Sequence, residues 1–276
     1  MAVDEVDPFP WFLHKSIQLV INHRHVAMHL TTAEWTEHWR PFLGKLMEIQ
    51  RKRGRRLLVA VAGAPGSGKS FFAEQISWMA TRGVMPGIFA VALPMDGFHY
   101  DQEYLLTHHQ TFPDGSRIPL AHCKGSPLTF NVEALRHHLT MLRDTESEIS
   151  WPGYHREAHD TVKDEFRVPA GTNLAIVEGN YLLLNVPPYK GIPNFFDLKV
   201  YIEAPAPVIM ANLMSRHMAG GRAVEDAKAW VKRVDLPNAR IVESTRGSAD
   251  VIIRRDRQDL ISAVIWKSDK PPTKSA

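Results

Sequence analysis

Gly63-Ala64-Pro65-Gly66-Ser67-Gly68-Lys69-Ser70 is the stretch on which the reading of this 276-residue chain turns. It fits the spacing G-x-x-x-x-G-K-[ST], follows the apolar run Leu57-Leu58-Val59-Ala60-Val61-Ala62 and precedes a helical pattern over Lys69–Ala80. Glycines let backbone N–H groups close around phosphate oxygens, and a helix N-terminus adds a favourable dipole. In such a loop Gly63, Ala64, Pro65, Gly66, Ser67 and Gly68, with Phe71 just inside the helix, wrap the phosphates of a nucleotide. Lys69 reaches the β- and γ-phosphates, and the Ser70 hydroxyl is a ligand for Mg²⁺. At ordinary Gly, Lys and Ser/Thr frequencies a chance match in a chain of this length is expected on the order of one time in a hundred. The flanking strand and helix make chance rarer still.

Outward from this loop, short apolar runs alternate with helical patterns. Strands are expected at Leu57–Ala62, Ile88–Leu93, Leu174–Val177, Leu198–Ile202 and Asp250–Ile253, and helices at Lys69–Ala80, Asn131–Arg143, Pro205–His217 and Val224–Arg246. The alternation predicts an α/β fold of P-loop type, a mostly parallel sheet with helices on both faces. Thr107–Gly125 and Trp151–Asp160, rich in His, Pro and Gly, read as loops. Residues 1–54 read as an N-terminal helical extension, capped at Thr31 or Thr32, and residues 55–276 as the nucleotide-binding domain.

Composition narrows the class further. With 44% hydrophobic and 23% charged residues the chain can bury a large core and is no disordered or fibrous protein. The net charge of +3 is local, because Arg51-Lys52-Arg53-Gly54-Arg55-Arg56 holds five cations and the remainder carries 28 basic against 30 acidic residues. Cations at a helix end complement its dipole and Gly54 supplies a stop, whereas no aromatic residues are interleaved as a nucleic-acid surface would favour. A single cysteine, Cys123, excludes an intrachain disulfide framework and fits a reducing compartment. An acidic start with no apolar run behind it, and no apolar stretch of about 18 residues, point to a soluble cytoplasmic protein without a membrane span.

The phosphate loop alone does not separate small-molecule kinases from other nucleotide-hydrolysing proteins. Later motifs do. Pro94-Met95-Asp96-Gly97-Phe98-His99-Tyr100 ends a strand with a carboxylate, where open α/β sheets place their sites. Together with Lys124-Gly125-Ser126-Pro127-Leu128-Thr129-Phe130-Asn131, Pro152-Gly153-Tyr154 and Val177-Glu178-Gly179-Asn180-Tyr181, it resembles the uridine kinase, pantothenate kinase and phosphoribulokinase superfamily. The likeness is greatest to the bacterial fructose-transport-associated and nucleoside or sugar kinases, and it spans about residues 57–255.

The resemblance implies that Asp96 is the catalytic base toward an acceptor hydroxyl and that Glu178 helps Ser70 hold Mg²⁺. It implies that Arg216, in a lid over about residues 216–224 hinged at Gly220-Gly221, stabilises the transferring phosphoryl group, with Arg222 as a second nucleotide contact. Asn238 falls in a stretch that borders the nucleotide base in this superfamily. Relatives often carry Asp where Asn131 stands, and an N-cap role suits either residue. The acceptor site is expected to draw on Asp96, His99, Tyr100, Lys124, Tyr154, His155 and Arg156, with the segment His108–Arg117 as a cover. His155 and His159 at i,i+4 lack the Glu directly after the first His that a zinc-protease helix requires.

The expected function is ATP- and Mg²⁺-dependent phosphorylation of a small metabolite, a sugar or sugar-like compound ahead of a nucleoside or pantothenate. The expected partner is a small-molecule substrate, with a homodimer left open and nucleic acid disfavoured. A regulatory or nucleic-acid-associated ATPase using the Arg51–Arg56 run is the alternative from another class. A GTPase is disfavoured because no convincing guanine-specifying Asn-Lys-x-Asp segment is present.

Overall fold

The computed structural model describes residues 5–21, 23–111, 114–155, 160–256 and 260–267. Strands β1 (Ile17–Ile21) and β2 (Arg24–Met28) lead into a helical run formed by α1 (Thr32–Glu34), a π-helical turn (Trp35–Trp39) and α2 (Arg40–Arg53). Then come β3 (Leu57–Gly63), α3 (Lys69–Thr81), β4 (Ala90–Pro94), α4 (Gln102–Thr107), the short β5 (His109–Thr111) and β6 (Arg117–Pro119), and α5 (Val132–Asp144). The chain continues through β7 (Ile149–His155), β8 (Asp160–Val168), β9 (Leu174–Glu178), β10 (Leu198–Glu203) and α6 (Ala206–Ala219). It closes with α7 (Val224–Trp230), α8 (Leu236–Glu243), β11 (Val251–Arg255) and β12 (Ile261–Trp266).

Six strands form the central sheet in the order β12-β11-β10-β3-β9-β4, parallel except for β12 at its edge. Every residue of β3 is buried, and its side chains alternate between two cores. Leu57, Val59 and Val61 face one with α2 and α3, while Leu58, Ala60 and Ala62 face the other with α5. Helices therefore cover both faces, the arrangement that an unbroken apolar strand requires. A third cluster joins Ala64 of the phosphate loop to Leu213 on α6, Val231 and Ala239.

The five expected strands and the core helices are present with ends shifted by a few residues, but four expectations fail. Thr107–Gly125, read as a loop, carries the short antiparallel pair β5–β6. Residues 17–28 are not helical: β1 and β2 pair antiparallel from Ile17↔Met28 to Ile21↔Arg24. Ile17-Gln18-Leu19-Val20-Ile21 is rich in β-branched residues and alternates, with Leu19 buried and Val20 exposed, the period-2 pattern of a strand. The stretch from Trp151 is a hairpin arm and not a loop. Pro152 and Gly153 are absorbed by a register shift between Trp151 and Gly153 in a ladder that belongs to no larger sheet. The expected helix Val224–Arg246 contains a π-helical segment, Val231–Asp235, and ends at Glu243. Pro237 lacks the N–H that the Arg233 carbonyl needs, and the π turn at Trp35–Trp39 likewise precedes Pro41. The edge strand β12 was not anticipated.

The residues before β3 share the main core, since Phe12, Leu19, Met28, Trp35 and Trp39 pack in the cluster that holds Val59 and Ile76. Thr31 is the N-cap, its Oγ1 accepting from Glu34 N at 3.1 Å. The basic run closes α2 at Gly54, whose φ of 67° suits glycine. Two of its cations are tied into the fold. Arg53 pairs with Asp197 at 2.7 Å, and Arg56 donates to the carbonyls of Thr172, Leu142 and Thr145 at 2.9, 2.9 and 3.0 Å. Asn131 caps α5 by accepting from Ala134 N at 2.9 Å. No helix among the described residues is long and apolar enough to cross a membrane.

Arg56→Ala strands three carbonyls at once and is expected to cost about 2–3 kcal/mol in urea unfolding. Lys52→Ala, which removes only an exposed pair with Glu48, is expected to cost less than about 0.5 kcal/mol.

Candidate active site

The register of three neighbouring parallel strands assembles the site. Val61 of β3 and Pro94 of β4 both lie level with Glu178 at the end of β9. The phosphate loop, Glu178 and the turn bearing Asp96 therefore leave the sheet side by side at its carboxyl edge, with strands about 4.8 Å apart. Tight backbone approaches hold the pieces. A Cβ on Gly63 would lie 2.6 Å from the Ile202 carbonyl, and one on Gly97 only 2.1 Å from the Pro152 carbonyl.

Gly68 enters α3 in the left-handed region, φ 92°, with no side chain capping the helix. The first four N–H groups of α3 have no acceptor within the helix, so its positive end is open to an anion. Ser67 Oγ, buried in the same loop, has no hydrogen-bond partner among the described residues. Lys69 is buried with its Nζ donating to the Ala64 carbonyl at 3.2 Å, across the base of the loop. Ser70 Oγ donates to Glu178 Oε1 at 2.9 Å, and Glu178 is buried, so a hydroxyl and a carboxylate meet where a hard cation needs oxygen donors. Uncapped amides, an orphaned hydroxyl, an ammonium and this oxygen pair fit a nucleotide's phosphates and their Mg²⁺.

Two clefts adjoin here. The smaller, about 400 Å³, is lined by Gly66, Gly68, Lys69, Ser70, Phe71 and Glu178. The larger, about 530 Å³, is lined by Pro65, His99, Lys124, Tyr154, Arg222 and Trp230 among others. Arg24, Asp96, Asn180 and Arg216 border both. Gly63, Ala64 and Ser67 line neither cleft and shape the loop from behind.

Arg216 and His217, at the end of α6, both reach Asp235, at 3.2 and 2.6 Å. This buried carboxylate fixes the arginine at the mouth of the clefts. Arg222 lies over the Trp230 ring, 4.0 Å from its centroid. Burial pulls the Lys124 pKa below its usual value against the opposing pull of Asp160, Asp101 and Asp96, and its Nζ is 3.3 Å from Gln102 Oε1. Behind Lys124, Tyr181 donates to the Gly125 carbonyl at 2.6 Å; burial, then the charges of Asp235 and Asp96, push its phenol far up.

Other expected acceptor residues fall elsewhere. Tyr100 stacks on Tyr104 at 4.0 Å, outside both clefts, and His155 turns toward His23 and Glu165. Arg156 and His159 lie outside the described residues, as do Phe112 and Pro113 of the expected cover. The structure adds Arg24, Asn180 and Asp235 to the lining, beside His217 of the expected lid. Arg24 comes from the hairpin misread as helix, and no local motif marks it.

Residues 58–262 match the profile described as "Phosphoribulokinase / Uridine kinase family". The chain is 33% identical to the uncharacterized protein YggC of Escherichia coli K12, over 86% of this chain and 94% of that one. It is 26% identical to a uridine kinase of Shewanella frigidimarina, over 77% and 93%. A solved structure from Silicibacter sp. TM1040, described as a candidate fructose transport system kinase, superposes with a TM-score of 0.64. It is 30% identical and covers 76% of this chain and 98% of that chain.

Gly97→Ala drives a methyl into the Pro152 backbone and is expected to lower stability by about 1–3 kcal/mol in thermal or urea unfolding, whereas Gly83→Ala meets nothing within 4 Å. The Gly83 change carries instead the strain of its φ of 75°, so Gly247→Ala, with neither a positive φ nor any atom within 4 Å, is the reference against which the Gly97 contact is read.

Proposed function

Because the chain belongs to the phosphoribulokinase/uridine kinase family, we propose that it transfers the γ-phosphoryl group of ATP to a hydroxyl of a small metabolite held in the larger cleft. The observation that carries this reading is the position of Asp96 on the border of both clefts. A carboxylate there faces the phosphate loop on one side and an acceptor on the other. The acceptor oxygen bonds to the γ-phosphorus, the bond from that phosphorus to the β–γ bridging oxygen breaks, the hydroxyl proton passes to Asp96, and ADP leaves.

Lys69 and the amides of Gly66 to Ser70 hold the phosphates. Ser70 and Glu178 would hold Mg²⁺, which when bound neutralises charge on the phosphate oxygens. Arg216, oriented by Asp235, approaches the charge that spreads over the transferring group, and Arg222 lies further along the same wall. The acceptor side is formed by His99, Lys124 and Tyr154, donors and rings suited to a polyhydroxylated or anionic molecule. A sugar or sugar-like acceptor is the preferred reading. The likeness to the Silicibacter protein, at 30% identity and nearly full coverage of that chain, supports it. The uridine kinase of S. frigidimarina keeps a nucleoside as the comparison.

Asp96→Asn preserves shape and removes the proton acceptor. It is expected to leave ATP affinity by calorimetry within about twofold and to reduce acceptor phosphorylation by about 10²–10⁴-fold. Undiminished turnover in this variant would remove Asp96 from the mechanism.

A further inference from the structure

Away from the phosphate loop, two hairpins meet through an unusual group of side chains. His23, in the turn between β1 and β2, and His155, at the end of β7, both direct Nε2 at one oxygen of Glu165 on β8. The distances to Glu165 Oε1 are 2.9 Å from His23 and 3.0 Å from His155, and the two rings are 4.3 Å apart. All three ligand-type atoms lie within 4.8 Å of one another.

We propose that His23, His155 and Glu165 form a binding site for a divalent transition-metal ion of the zinc type, separate from the Mg²⁺ of phosphoryl transfer. Two imidazoles with one carboxylate suit zinc, nickel or copper and not magnesium or calcium, which take oxygen donors. Zinc holds His nitrogen at about 2.0–2.1 Å and carboxylate oxygen at about 2.0–2.2 Å, which in a tetrahedron sets ligand atoms about 3.3 Å apart. The two His–Glu165 separations, 2.9 and 3.0 Å, are a few tenths of an ångström short of that, and all three atoms lie within 4.8 Å of one another, so small side-chain adjustments admit the ion. Three protein ligands leave a fourth position to water.

Two further observations converge on this group. Among the described residues only three non-glycine residues have positive φ, and two of them are His23 itself, at 63°, and Asp164 beside Glu165, at 55°. Backbone held in this region costs about 1–3 kcal/mol and is retained where surrounding interactions demand it. The second oxygen, Glu165 Oε2, is buried with no hydrogen-bond partner and is pressed against Gly153, where a Cβ could not fit. The carboxylate is thus fixed in place with Oε1 presented to both rings. His23 and His155 are partly exposed, at 56% and 42%, so the site is reachable from solvent.

An ion there would tie the two hairpins together. Arg24 follows His23 and Tyr154 precedes His155, and both line the larger cleft, so occupancy would fix one wall of it.

The test uses the full chain and two probes. Co²⁺ is titrated while its visible d–d absorption is followed, and Zn²⁺ stoichiometry is measured by equilibrium dialysis in the presence of excess Mg²⁺. One equivalent bound at micromolar concentration, with the intense bands of a four-coordinate site, is expected. His23→Asn, which keeps a residue tolerant of the left-handed region, and Glu165→Gln should each weaken binding at least tenfold. On the native protein, Zn²⁺ should protect His23 and His155 from carbethoxylation mapped by mass spectrometry, a readout that needs no variant to fold. Absence of stoichiometric binding, native-like binding by either folded variant, or protection of other histidines instead would overturn the proposal.

Discussion

The contact from Ser70 Oγ to Glu178 Oε1 joins the first turn of α3 to the last residue of β9, and the geometry of the site follows from it. A half-buried hydroxyl and a buried carboxylate meet at the carboxyl edge of the sheet. Burial of such groups is tolerable only when each has a partner, so the strand ends that carry them must keep register. That register sets Val61 and Pro94 level with Glu178 and thereby fixes where the phosphate loop and Asp96 emerge. The close packing of Gly97 on Pro152 then ties the Asp96 turn to β7, which carries Tyr154.

The opposite wall of the clefts obeys a similar constraint with a different anchor. Asp235 sits at the end of the π-helical segment that Pro237 provokes, and it accepts from both Arg216 and His217. Arg216 is thereby kept near the mouth of the clefts. The N-terminal hairpin reaches the same region, because Arg24 borders both clefts and donates to the Ala219 carbonyl at 3.4 Å. Residues before β3 are thus part of the cleft wall.

Much of this was legible in the sequence for physical reasons. A strand buried on both faces is an unbroken apolar run, as Leu57–Ala62 is, and a loop that must pass positive φ at Gly66 and Gly68 can hardly be built otherwise. Asp96 stands at a strand end, where such sheets place their sites, but it and Glu178 were singled out through the family resemblance and not by position alone. What sequence reasoning missed depends on partners distant along the chain. The β1–β2 hairpin is specified by five alternating residues among helix-like spacings, and the β7–β8 hairpin hides behind Pro152-Gly153. Arg24 and Asp235 acquire meaning only through residues well over a dozen positions away. His155 was expected to face the acceptor, but Glu165, ten residues on across the hairpin, turns it aside.

The most direct test of the central claim is acceptor-dependent release of ADP by the purified full chain with ATP and Mg²⁺, screened across sugars, polyols, glycerate, nucleosides and pantothenate. The phosphorylated product is identified by phosphorus NMR. The account predicts that one hydroxyl compound, preferably a sugar or its derivative, raises ADP release at least about 10²-fold over hydrolysis by water, with one phosphoester formed per ADP. ATP consumption that is the same with every acceptor and yields only inorganic phosphate would contradict it.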